Sequence, residues 1–125
     1  MQFRIAILAS LATASSLLGF VQPASAQYSK VCATNTGAYV AQYKLTLGGK
    51  DTGYSSGTGA GAQKCYTAAD AWGSTAVPAN SVFTLNAKAK GGTDTNCKPS
   101  QQTYSATGGT INYKSSGTTT NVTCQ

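Results

Sequence analysis

Apolar and polar residues alternate along two stretches of the chain, which is the pattern of a β-strand with one buried face. The first stretch runs from Tyr39 to Leu47, and the second runs from Val82 to Lys90. The residues expected to face inward are Tyr39, Ala41, Tyr43, Leu45, Leu47, Phe83, Leu85, Ala87 and Ala89. These two strands are the clearest structural prediction from the sequence.

Glycine pairs predict tight connections near the C-terminal end. Gly108-Gly109 separates Gln102–Thr107 from Thr110–Ser115, the arrangement of a two-residue hairpin. Ser116-Gly117 then predicts a turn into Thr118–Cys124. We therefore expect the last three strands to form a meander.

The remaining segments also favour strands joined by turns. Gly48–Asp51 and Gly91-Gly92 are turn sequences, and the low-complexity stretch Gly53–Ala62 predicts a mobile surface loop. Thr67–Trp72 predicts one short helical turn. Short strands with glycine-rich turns predict an all-β fold, a small disulfide-stabilised antiparallel β-sandwich or alternatively a small barrel.

The N-terminal segment Met1–Ala26 has the pattern of a removable secretory signal peptide. Arg4 precedes an apolar stretch that is shorter than a membrane span and diluted by hydroxyl residues. Ala24-Ser25-Ala26 is a small-x-small cleavage site, so we expect cleavage between Ala26 and Gln27. This predicts a single secreted, extracellular domain spanning Gln27–Gln125.

Four cysteines lie in this domain, at Cys32, Cys65, Cys97 and Cys124. An even number of cysteines in a secreted chain predicts two disulfides, and three pairings are possible. We favour Cys32–Cys65 and Cys97–Cys124, because each bond then joins neighbouring strands. The wide spacing and the absence of histidine argue against a zinc site.

Few acid–base groups are present for catalysis. The chain has no histidine and no glutamate, and its carboxylate side chains are Asp51, Asp70 and Asp94. A paired-carboxylate glycosidase would need two of these aspartates to converge. Aspartate in a glycine-rich turn usually bonds the local backbone instead. We therefore expect no enzymatic activity, no metal and no cofactor.

Positive charge suggests an anionic partner. Eight lysines outnumber the three aspartates of the predicted mature chain, which gives a net charge of +5. Lys44, Lys88 and Lys90 are expected on outward strand faces, and with Trp72 they form the candidate binding surface. The alternative is that these lysines keep exposed strands soluble. Because the lysines are scattered and arginine is absent after Arg4, we expect no nucleic-acid partner, and we expect a monomer.

Aromatic residues allow a second kind of surface. Tyr66, Trp72, Tyr104 and Tyr113 could form a flat platform on which sugar rings stack, or they could fill the core of a small sandwich. Separately, Asn121-Val122-Thr123 is a sequon for N-glycosylation in a eukaryotic secretory pathway, which makes Asn121 a possible modification site.

The overall layout resembles small secreted cysteine-containing proteins of filamentous fungi, including effectors and elicitors of plant pathogens. The shared features are the signal ending Ala24-Ser25-Ala26, a mature part near a hundred residues, four spaced cysteines and no catalytic set. The tail Ser116–Cys124 is similar to that of other secreted microbial β-proteins. The resemblance implies a non-enzymatic extracellular protein that binds a host protein, a membrane surface or an anionic polysaccharide of a host or competitor. The alternative is an extracellular carbohydrate- or cell-wall-binding module.

Overall fold

A computed structural model describes residues 26–125, so the predicted signal peptide, apart from Ala26, lies outside the described residues. Nine strands and one short helix are found within this part of the chain. Their bounds are β1 Gln27–Asn35, β2 Ala41–Leu47, β3 Lys50–Asp51, β4 Gln63–Thr67, α1 Ala68–Trp72, β5 Val82–Ala89, β6 Asp94–Asn96, β7 Gln102–Tyr104, β8 Gly109–Thr118 and β9 Asn121–Cys124. The predicted helical turn is confirmed as α1.

The strands form one mixed sheet that is not closed, so the barrel alternative is wrong. Its main order is β3-β2-β5-β7-β1-β8-β9, with β4 beside β1 and β6 beside β5. The short strand β7 joins the two parts of the sheet, because it pairs with β1 at Gln27–Tyr28 and with β5 at Val82–Phe83. The expectation of a purely antiparallel sheet is also wrong, since β1 runs parallel to both β7 and β8.

The core confirms the two alternating strands. All nine residues expected to face inward are buried. A buried hydrogen bond joins β2 to β8, where the hydroxyl oxygens of Tyr43 and Ser115 lie 2.6 Å apart. The Tyr66 hydroxyl on β4 donates to the Tyr43 carbonyl at 2.7 Å. The core is short of large aliphatic side chains and uses tyrosines instead, and the buried hydroxyl groups of these two tyrosines are hydrogen-bonded.

The predicted C-terminal meander is wrong for its first pair, because β1 lies between β7 and β8, whereas β8 and β9 pair antiparallel as expected. Both β7 and β8 pair with β1. Gly108 makes this arrangement possible: a β-carbon there would lie 2.5 Å from the Gln27 carbonyl oxygen. The glycine thus permits close approach of two backbones rather than a hairpin turn. The turn expected at Ser116-Gly117 lies further along the chain, because both residues belong to β8, which ends at Thr118 and pairs with β9 from Ser115 to Thr118.

The glycine-rich stretch Gly53–Ala62 is not the free surface loop expected from its composition. Its backbone bonds along the edge of β2, where Ser55 N–H donates to the Tyr43 carbonyl at 2.8 Å and Thr58 N–H donates to the Ala41 carbonyl at 2.7 Å. Thr58 is itself buried. The segment therefore covers a strand edge that would otherwise present unpaired backbone groups.

Two disulfides close the fold, in the pairing that we favoured from the sequence. Cys32 bonds Cys65 across β1 and β4, and Cys97 bonds Cys124 on β9. Cys32 and Cys65 are paired residues of adjacent strands, and Cys97 directly follows β6, which contacts β9. In the chain-entropy model, bonds closing loops of these lengths stabilise the fold by about 3.5 kcal/mol each.

Candidate functional site

A cluster of charged, amide and aromatic side chains covers the outward face of β2, β5 and β6. We call this cluster the lysine–tyrosine face. It consists of Lys44, Tyr54, Asn86, Lys88, Asp94 and Asn96. Strand alternation places it there, because the residues between the buried positions of β2 and β5 must point away from the core.

Tyr54 is the centre of this face. It leaves the segment that lines the edge of β2 and reaches across to β6, where its hydroxyl donates to Asp94 Oδ2 at 3.0 Å. The Lys44 ammonium lies 4.9 Å from the ring centroid, and the Lys88 ammonium lies 5.2 Å from it. Such cation–π contacts at partly exposed sites contribute about 0.5–1 kcal/mol each. Two ammonium groups from different strands therefore contact the same ring.

The electrostatics of the face leave it cationic. Burial, and then the hydrogen bond and charge of Asp94, raise the pKa of Tyr54 to about 12. The phenol consequently remains a hydrogen-bond donor to the carboxylate well above neutral pH. Two ammonium groups against one carboxylate give a local excess of positive charge, which favours an anionic ligand.

Amide groups surround the two lysines. The Asn86 side-chain amide donates to the Asn96 side-chain carbonyl, which joins β5 to β6. On β2, the Gln42 side chain donates to the Ser55 carbonyl at 3.0 Å. These amides have further donors and acceptors that can bond the hydroxyl groups of a ligand.

The structure unites only part of the candidate surface predicted from the sequence. Lys44 and Lys88 meet over Tyr54, as described above. Lys90 is exposed one residue beyond the end of β5. Trp72 lies elsewhere, at the end of α1, where its indole N–H donates to the Leu47 carbonyl at 2.8 Å and the Lys50 ammonium lies 4.5 Å from its ring. Trp72 thus docks α1 onto the core edge and is not part of the lysine–tyrosine face.

The aromatic platform is contradicted by burial. Tyr66 is 4% exposed and Tyr113 is 2% exposed, so neither ring can stack on a ligand. The Tyr113 hydroxyl donates to the Pro99 carbonyl at 2.6 Å. Tyr104 is half-buried and borders an open groove. Tyr66 and Tyr113 therefore fill the core, which was the alternative to a stacking platform.

The aspartates serve three separate local roles. Asp51 accepts from the Gly53 N–H at 2.8 Å, and Asp70 accepts from the Thr67 N–H at 2.7 Å at the start of α1. Asp94 instead belongs to the lysine–tyrosine face. Within residues 26–125, no group of three metal-ligating side chains converges.

Two other predicted positions lie at exposed points. Asn121 begins β9 and is exposed, while the Thr123 hydroxyl of its sequon lies 2.7 Å from that of Ser116. At the expected cleavage point both Ala26 and Gln27 are exposed. In the part of the chain that the structure describes, no helix is long and apolar enough to cross a membrane.

Sequence reasoning found the two lysines but missed Tyr54 and Asp94. Tyr54 had one available signal: it is the only large side chain in Gly53–Ala62. A bulky residue in a run of small ones indicates a contact. The sequence does not identify the partner, because Asp94 on β6 is 40 residues away.

Comparisons with known proteins do not assign this chain to a family. No family model, curated protein or solved structure matches it.

Proposed function

We propose that this chain is a secreted, non-enzymatic binding protein that attaches to an anionic polysaccharide on the surface of a host or competitor cell. The observation that carries the proposal is the convergence of Lys44 and Lys88 on the Tyr54 ring. The resemblance to secreted effectors and elicitors supports the same kind of role. So do the signal-peptide pattern and the two disulfides, which suit an oxidising compartment.

The chemistry of the face suits an acidic sugar chain. Carboxylate or sulfate groups would accept from the Lys44 and Lys88 ammonium groups, and the amides of Asn86 and Asn96 would bond sugar hydroxyls. Tyr54 holds the ammonium groups in place before the ligand arrives, so less side-chain entropy is lost on binding. Because each ion pair is partly solvated, it contributes about 0.5–1 kcal/mol.

A polysaccharide fits this face better than a membrane does. Peripheral membrane proteins combine basic charge with apolar side chains that enter the headgroup region. In residues 26–125 the exposed large hydrophobic residues are Val40 and Val82, and neither belongs to the lysine–tyrosine face. The face therefore offers charge and hydrogen bonds without an apolar anchor.

We propose that the open sheet folds back on itself as a sandwich, with β2 and β5 packed on β1 and β8. The hydrogen bond between the Tyr43 and Ser115 hydroxyls supports this packing. A folded-back sheet would direct the lysine–tyrosine face outward on one side and the lysines of β1 and β8 outward on the other.

The test is co-sedimentation of the oxidised mature protein with an insoluble acidic polysaccharide. The double variant Lys44→Gln/Lys88→Gln removes both ammonium groups of the face. Its matched control, Lys30→Gln/Lys114→Gln, removes the same charge from exposed positions on β1 and β8. Removing two ion pairs of 0.5–1 kcal/mol predicts about a 5- to 30-fold loss of affinity, and we expect a much smaller loss in the control.

Two results would contradict the proposal. Equal losses in both double variants would mean that net charge alone drives retention. Retention on anionic liposomes but not on the polysaccharide would replace the proposed ligand with a membrane. Binding should also weaken at high salt, because screening reduces exposed ion pairs.

A further inference from the structure

Gln27 occupies an exposed position at the start of β1, the first strand of the described residues. It is the first residue of β1, and the exposed Ala26 precedes it. Gln27 lines an open groove of about 290 Å³, together with Val77, Pro78, Asn80 and Tyr104. Its carbonyl group is packed tightly against Gly108, while the residue as a whole is exposed.

Cleavage after Ala26 would give Gln27 a chemical possibility that it lacks in the uncleaved chain. Its nitrogen would become a free α-amine, three carbons away from the carboxamide carbon of its own side chain. Attack of the amine on that carbon closes a five-membered lactam ring. The new bond joins the α-nitrogen to the carboxamide carbon, the bond to the amide nitrogen breaks, and ammonia leaves with the proton given up by the amine. The step needs no oxidant, reductant or co-reactant.

We propose that Gln27 is converted to pyroglutamate in the mature protein. This inference rests on the proposed secretion and on cleavage between Ala26 and Gln27. The structure supports it in two ways: the residue is exposed, and the groove beside it leaves room for the ring to close without displacing the core. A residue buried at the start of a strand would not have this freedom.

The modification changes the groove chemically. A free α-amine has a pKa of about 8 and would carry positive charge at neutral pH. The lactam is neutral, so the groove beside Tyr104 and Pro78 loses a charge and gains a compact ring at its rim. The closed ring also removes the free amine that aminopeptidases require, which protects the first strand from trimming outside the cell.

The test is the intact mass of the protein secreted from a eukaryotic host, followed by fragmentation of its N-terminal peptide. We expect the mass of Gln27–Gln125 with both disulfides formed and one ammonia missing, with the loss located on the first residue. The matched variant Gln27→Asn keeps the amide but is one methylene shorter. Its cyclisation would need a four-membered ring, so it should retain its ammonia.

The possible failures are distinguishable. A mature chain that begins at Gln27 and keeps its open side chain after prolonged incubation at neutral pH would overturn the lactam while leaving the cleavage prediction intact. A chain that begins at another residue would overturn both. Co-sedimentation of the same sample with the polysaccharide reports separately on the lysine–tyrosine face, which is made of residues far along the chain from Gln27.

Discussion

The hydrogen bond between Tyr43 and Ser115 allows the proposed packing of β2 against β8 to be tested. Both residues are fully buried, and their hydroxyl oxygens lie 2.6 Å apart. Tyr43→Phe or Ser115→Ala each leaves the partner hydroxyl buried without its hydrogen bond, which costs about 1–3 kcal/mol. In a domain of this size that predicts a fall in Tm of about 4–8 °C for each kcal/mol.

The double variant makes the prediction specific to the pair. With both hydroxyls removed, no orphaned group remains, so we expect the double variant to be destabilised about as much as one single variant. The coupling energy should then lie between about 0.5 and 3 kcal/mol, the range for residues in contact. Denaturant unfolding monitored by tyrosine fluorescence, with the disulfides intact, measures all four proteins. Tyr54→Phe, which loses one hydrogen bond at the partly exposed surface, is the control and should lower the unfolding free energy by no more than about 1.5 kcal/mol, with no coupling to Ser115→Ala.

Additive effects of the two single substitutions would refute this reasoning. Additivity would mean that the hydroxyls do not meet, and that β2 does not pack on β8 in the described way. It would remove the main support for the proposed sandwich, because the other core hydrogen bond described above, from the Tyr66 hydroxyl on β4 to the Tyr43 carbonyl on β2, does not involve β8.

Three further predictions concern the fold. Replacing Cys97 and Cys124 together with alanine should lower the free energy of unfolding by about 3.5 kcal/mol, measured by chemical denaturation, because the bond that closes the intervening loop is lost. Gly108→Ala should destabilise the protein by about 1–3 kcal/mol through a backbone clash with β1, whereas Gly109→Ala, whose β-carbon would meet nothing within 4 Å, should have little effect in the same thermal melt. Burial raises the pKa of Tyr113 from 10.0 to about 12, so between these pH values the unfolded chain releases a proton that the folded chain keeps. Stability should therefore be intact below pH 10 and fall as pH rises, by up to about 1.4 kcal/mol per pH unit from this group, and a flat profile in urea titrations would contradict the assignment.

The sequence predicted the strands whose pattern is set locally. β2 and β5 alternate cleanly because one face of each packs on the core, so periodicity alone located their buried residues. β1 has buried positions in its second half but exposed or half-buried positions in its first, and this mixed pattern hid a strand that pairs on both edges. Without β1, Gly108-Gly109 was interpreted as a hairpin, although the glycine serves a contact with β1 that is distant in sequence.

The candidate site was predictable only where it depends on local strand alternation. Alternation directed Lys44 and Lys88 outward, and the structure adds that they converge. Their meeting point, Tyr54, depends on the edge pairing of a glycine-rich segment and on Asp94 of β6. Neither contact leaves a periodic signal, because both join segments through tertiary geometry alone. The position of Trp72 could not be predicted from the sequence for a related reason: it depends on where α1 docks.

The most direct test of the account is a titration of the isotope-labelled, oxidised protein with a soluble acidic oligosaccharide, followed by amide chemical shifts. We expect the largest changes at Lys44, Tyr54 and Lys88, a saturating response, and loss of that response in Lys44→Gln/Lys88→Gln. Changes centred on Lys30 and Lys114, or changes spread evenly over all the lysines, would contradict the proposal that the lysine–tyrosine face is the binding site.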